Sequence, residues 1–89
     1  MECTGKMNKN SIARTAVDGY VISTVQLPGA EKYPELFADH RYETMVFRAD
    51  SDGKVTDWIE VDGQRYATED AALAGHRAMV AMWKTTELA

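Results

Sequence analysis

The chain has 89 residues, 45% of them hydrophobic, 27% charged and 9% aromatic, and carries a formal net charge of −4 at pH 7. The apolar share is too high for a wholly disordered chain, and the length accommodates a single small domain. No apolar run approaches the roughly 18 residues of a membrane span, and MECTGKMNKN lacks the hydrophobic stretch of a signal peptide, so a cytoplasmic location is expected. Cys3 is the only cysteine, which leaves no intramolecular disulfide and no cysteine-based metal cage.

Residues 1–18 carry Lys6, Asn8, Lys9, Asn10, Ser11 and Arg14 with apolar residues at no fixed period, and read as a flexible N-terminal tail; residues 19–89 read as one domain. From Tyr20 to Leu27 the run YVISTVQL is dense in β-branched residues and stops at Pro28-Gly29, which predicts a strand closed by a turn. Residues 30–41 read as a loop, with Pro34 opening a short helical turn and Leu36 and Phe37 as apolar anchors.

The strongest local pattern is the pair YETMVFR (Tyr42 to Arg48) and VTDWIEV (Val55 to Val61) around Asp50-Ser51-Asp52-Gly53, a β-hairpin with a glycine-containing turn. Alternation sets Tyr42, Thr44 and Val46 against Glu43, Met45 and Phe47, and Val55, Asp57, Ile59 and Val61 against Thr56, Trp58 and Glu60. A turn at Asp62-Gly63-Gln64 would then lead into a short fourth strand at Arg65-Tyr66-Ala67. Thr68, followed by Glu69 and Asp70, is an N-cap with acids placed where they complement the helix dipole. Ala72, Leu73, His76, Met79, Val80 and Trp83 recur at three- and four-residue steps and form the stripe that would cover one sheet face. Gly75 inside that helix costs about 1 kcal/mol relative to alanine and marks a close approach, with Trp58 or Tyr66 as the neighbour. The fold class is α+β: an antiparallel meander of three to four strands with one C-terminal helix packed on one face.

Candidate sites follow from charge and apolar excess. Between Ala49 and Asp70 seven acids face two bases, a local charge of −5 that makes Asp50, Asp52, Asp57, Glu60 and Asp62 a candidate patch for a basic protein surface. Acidic turns and helix starts are the plainer explanation of the same residues. Asp50-Ser51-Asp52-Gly53 imitates the start of a calcium loop, but Lys54 and Val61 stand where oxygen ligands belong. His40 and His76 have no third ligand at useful spacing, and His76 on an apolar stripe reads as a neutral core histidine bonded to a backbone carbonyl. No nucleophile motif, phosphate loop or basic aromatic patch is present, so no catalytic residue, cofactor, metal or direct nucleic-acid contact is expected. Apolar residues on both hairpin faces leave Phe47 and Trp58 as candidates for partner binding or self-association, unless the segment from Glu31 to Phe37 folds back over them.

The stretch Tyr42 to Phe47, then Asp57-Trp58, Arg65-Tyr66-Ala67-Thr68, Ala71-Ala72 and Gly75-His76, resembles small uncharacterised proteins of phages and prophages of Gram-positive bacteria. The resemblance spans residues 42–83 and carries no site residues with it. It implies a phage or prophage accessory protein, acting in the bacterial cell or packaged in a virion. The expected function is binding to a host or phage protein, with inhibition of a host nuclease or defence protein as one form of it. The alternative is a self-associating structural or assembly component, for which a homodimer is the simplest state.

Overall fold

A computed structural model of the chain describes residues 10–30, 32–33 and 35–88, with side chains as far as residue 84. Four strands, β1 (Ser11–Val17), β2 (Tyr20–Gln26), β3 (Tyr42–Ala49) and β4 (Val55–Tyr66), form one antiparallel sheet in the order β1-β2-β3-β4. Helix α1 (Glu69–Leu88) follows and packs against all four strands, so the fold is α+β. Among the described residues no helix is long and apolar enough to cross a membrane.

The strand β1 corrects the expected tail: residues 11–17 belong to the sheet, while the expectation for residues 1–9 lies outside the described residues. The cause is Asp18-Gly19. Both residues take positive φ, 33° and 92°, the backbone a two-residue hairpin turn requires if its twist is to match the flanking strands. Val17 thereby pairs with Tyr20, Thr15 with Ile22 and Ala13 with Thr24. The Gln26 N–H donates to the Asn10 carbonyl at 2.8 Å, just beyond the last paired residues.

Between β2 and β3 the chain makes a loop whose ends meet, the Leu27 N–H donating to the Arg41 carbonyl at 2.8 Å. Successive turns run through it, and the Phe37 ring lies over Gly29, whose φ of 90° is closed to most side chains. Ala30 is buried there, while Tyr33 and Leu36 stay exposed. Pro34 lies outside the described residues, so the short helical turn expected from it does too.

The turn after β3 is built by one carboxylate. Asp50 Oδ1 accepts the N–H groups of Asp52 (2.9 Å) and Lys54 (3.0 Å), its carbonyl accepts the Gly53 N–H, and Gly53 takes φ 80°. Those hydrogen bonds, led by that of Lys54, hold the Asp50 pKa below the usual carboxylate value. The turn then leans across to β1, where Arg14 Nη2 donates to the Gly53 carbonyl at 3.2 Å.

β4 is one continuous strand through Asp62, Gly63 and Gln64, where a turn and a separate fourth strand are expected from the sequence. Gly63 is held in the ladder opposite Met45, so this glycine serves close packing and not a reversal. The irregularity lies earlier. Val46 pairs with Asp62 and Arg48 with Asp57, which sets the four residues Trp58 to Val61 opposite Phe47 alone, a bulge several residues long in the edge strand.

Cross-strand partners share a face, so the register divides the sheet. The helix side holds Thr15 and Val17, Tyr20, Ile22 and Thr24, Thr44 and Val46, and Asp62. Ile22, Val46 and Met79 form its core, with Val17, Tyr20, Val61, Val80 and Trp83 packed around them. Thr68 caps α1, its Oγ1 accepting the Ala71 N–H at 3.1 Å, and Glu69 and Asp70 occupy the first turn. Ala72, His76 and Met79 are buried in the stripe, and Gly75 meets the Tyr66 phenol, which occupies the space a Cβ would need.

Candidate functional site

The face opposite α1 carries Arg14 and Ala16, Val21, Ser23 and Val25, Glu43, Met45 and Phe47 from regular strands. At one end the Asp50–Lys54 turn closes over β1, so that a Cβ on Gly53 would meet the Ala16 Cβ at 3.1 Å. Val21 and Phe47 are buried on this face although no helix covers it. The turn also walls a cleft of about 520 Å³ lined by Ala16, Val17, Asp18, Gly19, Tyr20, Asp50, Ser51 and Gly53.

The bulge of β4 dominates the rest of this face. Trp58 is 72% exposed and its ring stands edge-on to Phe47, with centroids 5.1 Å apart at 63°. Ile59, the next residue, is 69% exposed. A regular strand would send two adjacent side chains to opposite faces and bury one of them; the bulge removes that constraint. Asp57 fixes the bend, its Oδ1 accepting the Ile59 N–H at 3.1 Å. Ile59, placed by alternation with Val55 and Val61, is thus an exposed neighbour of Trp58.

The five acids do not form one patch. Asp50 is spent on its turn, and Asp52 is exposed beside it. Asp57 lies 3.9 Å from the Arg48 guanidinium, a long and solvent-accessible pair. Asp62 belongs to the helix side: its Oδ2 accepts the Trp83 indole N–H at 3.2 Å and its Oδ1 the Gly63 N–H at 2.8 Å. Glu60 alone joins the aromatic pair, because its carboxylate folds over Gly63, opposite Met45 on the uncovered face. Burial pushes its pKa up, and Glu43 nearby adds to the shift while Arg65 opposes it. Arg65 reaches Glu43 at 3.5 Å.

His76 sits in the other face, 6% exposed, and both ring nitrogens are engaged. Nδ1 is 2.7 Å from Thr24 Oγ1, Nε2 is 2.9 Å from Thr15 Oγ1, and Thr24 continues to Thr44 at 2.6 Å. The partners are therefore threonine hydroxyls of β1 and β2 and not the backbone carbonyl expected from the sequence. A neutral imidazole offers one donor and one acceptor, and hydroxyls satisfy either. Burial, with Arg77 adding, lowers the His76 pKa and favours that neutral form. His40 lies instead in the β2–β3 loop with its ring 5.6 Å from that of Phe37. Among the described residues no three histidine, cysteine or acidic side chains gather as a metal site.

Ile59 and the threonines were not legible as site or network residues. The signal for Ile59 was the adjacency of two large apolar side chains in a solvent-facing edge strand; for Thr15, Thr24 and Thr44 it was a histidine on an apolar stripe, which demands polar partners inside. No family model, curated protein or solved structure matches the chain.

Proposed function

We propose that the chain is a non-enzymatic binding module that docks a partner protein on the sheet face opposite α1, through Trp58, Ile59 and Phe47. The observation that carries this reading is the pair Trp58 and Ile59, 72% and 69% exposed, consecutive residues of a bulge whose bend is fixed by Asp57. Exposing two such side chains gains the fold nothing, and rigid aromatic anchors of this kind dominate the energetics of protein interfaces. The one buried histidine has both nitrogens engaged by hydroxyls, which supports a structural role for it and a binding role for the protein.

The partner is a protein with a basic surface. Glu60 and Glu43 lie on the docking face, where Arg65 is already paired with Glu43 and Arg14 is turned to the Gly53 carbonyl, so Glu60 is the carboxylate that a partner's cation would meet. With the resemblance of residues 42–83 to phage and prophage proteins, the reading becomes an accessory protein that acts in the bacterial cell on a host or phage protein, a nuclease or defence protein among them. Self-association as an assembly component is the second reading, favoured by the apolar character of the bulge alone.

The test pairs sedimentation with capture. The wild-type chain should remain a monomer across a hundredfold range of concentration, and a bacterial protein captured by it should be lost with Trp58→Ser/Ile59→Ser. A dimer dispersed by the same double substitution would favour the second reading.

A further inference from the structure

The chemistry of the docked segment can be read from the row of side chains beside Trp58; this inference rests on the docking role proposed above and deepens it. Along β3 the uncovered face presents Phe47, then Met45, then Glu43. Residues two apart on a strand are separated by about 7 Å. Trp58 packs on Phe47 at one end of this row, and the Glu60 carboxylate lies over Gly63, the partner of Met45, at its middle. At the far end Arg65 and Glu43 already face each other at 3.5 Å. Among the described residues no cation stands within ion-pair distance of Glu60. The face thus offers an aromatic shelf and, one strand repeat away, a carboxylate that feels Glu43 as a like charge and Arg65 as an opposite one, with Arg65 itself drawn to Glu43.

We infer that the partner contributes an extended segment with an apolar side chain against Trp58 and Phe47 and a lysine or arginine two residues away against Glu60. An ammonium or guanidinium placed there meets Glu60 and the nearby Glu43 together, and its methylene stem runs over the half-buried Met45. An acidic or purely apolar segment desolvates Glu60 further with only Arg65, already shared with Glu43, to offset it, which selects against such a segment.

The probe is a library of random linear peptides displayed for binding to the full chain, counter-selected on the Trp58→Ala variant, whose exposed position leaves folding intact and is checked by circular dichroism. The expected result is enrichment of peptides with a basic residue two positions from an aromatic or aliphatic one. For a selected peptide, Glu60→Gln should weaken binding about fivefold and Trp58→Ala about thirtyfold or more. Enrichment of apolar peptides with no basic bias, bound equally by Glu60→Gln, would overturn the inference and leave the docking face standing. Recovery of no peptide that prefers the wild type over Trp58→Ala would overturn the docking face itself, and the inference with it.

Discussion

The two faces of the sheet solve the same problem in opposite ways. On the helix side every large group has a partner: Ile22 and Val46 are fully buried beneath Met79, the Trp83 indole is bonded to Asp62 and lies 4.6 Å from the Tyr20 ring, and the hydroxyls of Thr15, Thr24 and Thr44 are linked through His76. On the other side the regular strands are covered only at the turn end, and the bulge holds Trp58 and Ile59 in solvent. A closed face whose polar groups are all matched specifies the fold; an open face whose side chains are held but not covered is free to serve a partner.

Substitutions should separate the two. The largest loss belongs to the closed face, where Ile22→Ala removes a side chain with no exposed surface and should cost about 3–4 kcal/mol in urea unfolding. A loss below about 1 kcal/mol would mean that the sheet and helix are not packed through Ile22.

Gly75→Ala comes next and has a diagnostic sign. The overlap with Tyr66 costs about 1–3 kcal/mol, against about 1 kcal/mol of helix propensity regained, so a net destabilisation is expected. In a Tyr66→Ala background the overlap is gone, and the same substitution should stabilise by about 1 kcal/mol.

The histidine network gives a smaller, pH-dependent effect. Because burial lowers the His76 pKa in the folded state, its contribution is complete above the unfolded value of about 6.5 and is lost as pH falls from there toward the folded pKa. The urea midpoint should therefore drop between about pH 7.5 and pH 5, and His76→Gln, which keeps two hydrogen-bonding groups but does not titrate, should flatten that drop.

The sheet and helix were legible because their signals are local. Thr68 with Glu69 and Asp70 marks a helix start, the run at 20–26 is dense in β-branched residues, and the run at 42–48 pairs with 55–61 around a glycine-containing turn. Gly75 as a close approach was legible as well, though of the two neighbours the sequence offers, Trp58 and Tyr66, it is Tyr66 that meets it. β1 is hidden by its composition: Ser11, Arg14 and Thr15 look like a tail, and the Asp18-Gly19 pair that turns them back onto β2 looks like a boundary. The reverse error befell Asp62-Gly63, a turn dipeptide that stays in a strand because Asp62 is tied to Trp83 and Gly63 to the space beneath Glu60. The bulge depends on a register between strands that are distant in sequence, so neither Ile59 nor the turning of Glu60 onto the face of Trp58 can follow from period-two alternation.

Urea unfolding of the Trp58→Ser/Ile59→Ser double variant tests most directly whether the uncovered face is surplus to folding. A stability within about 1 kcal/mol of the parent is expected from substitutions of exposed residues, and such a chain, still folded, should no longer hold a partner that the wild type captures. A loss of about 3 kcal/mol or more would contradict the account, because Trp58 and Ile59 would then belong to the core and not to a docking face.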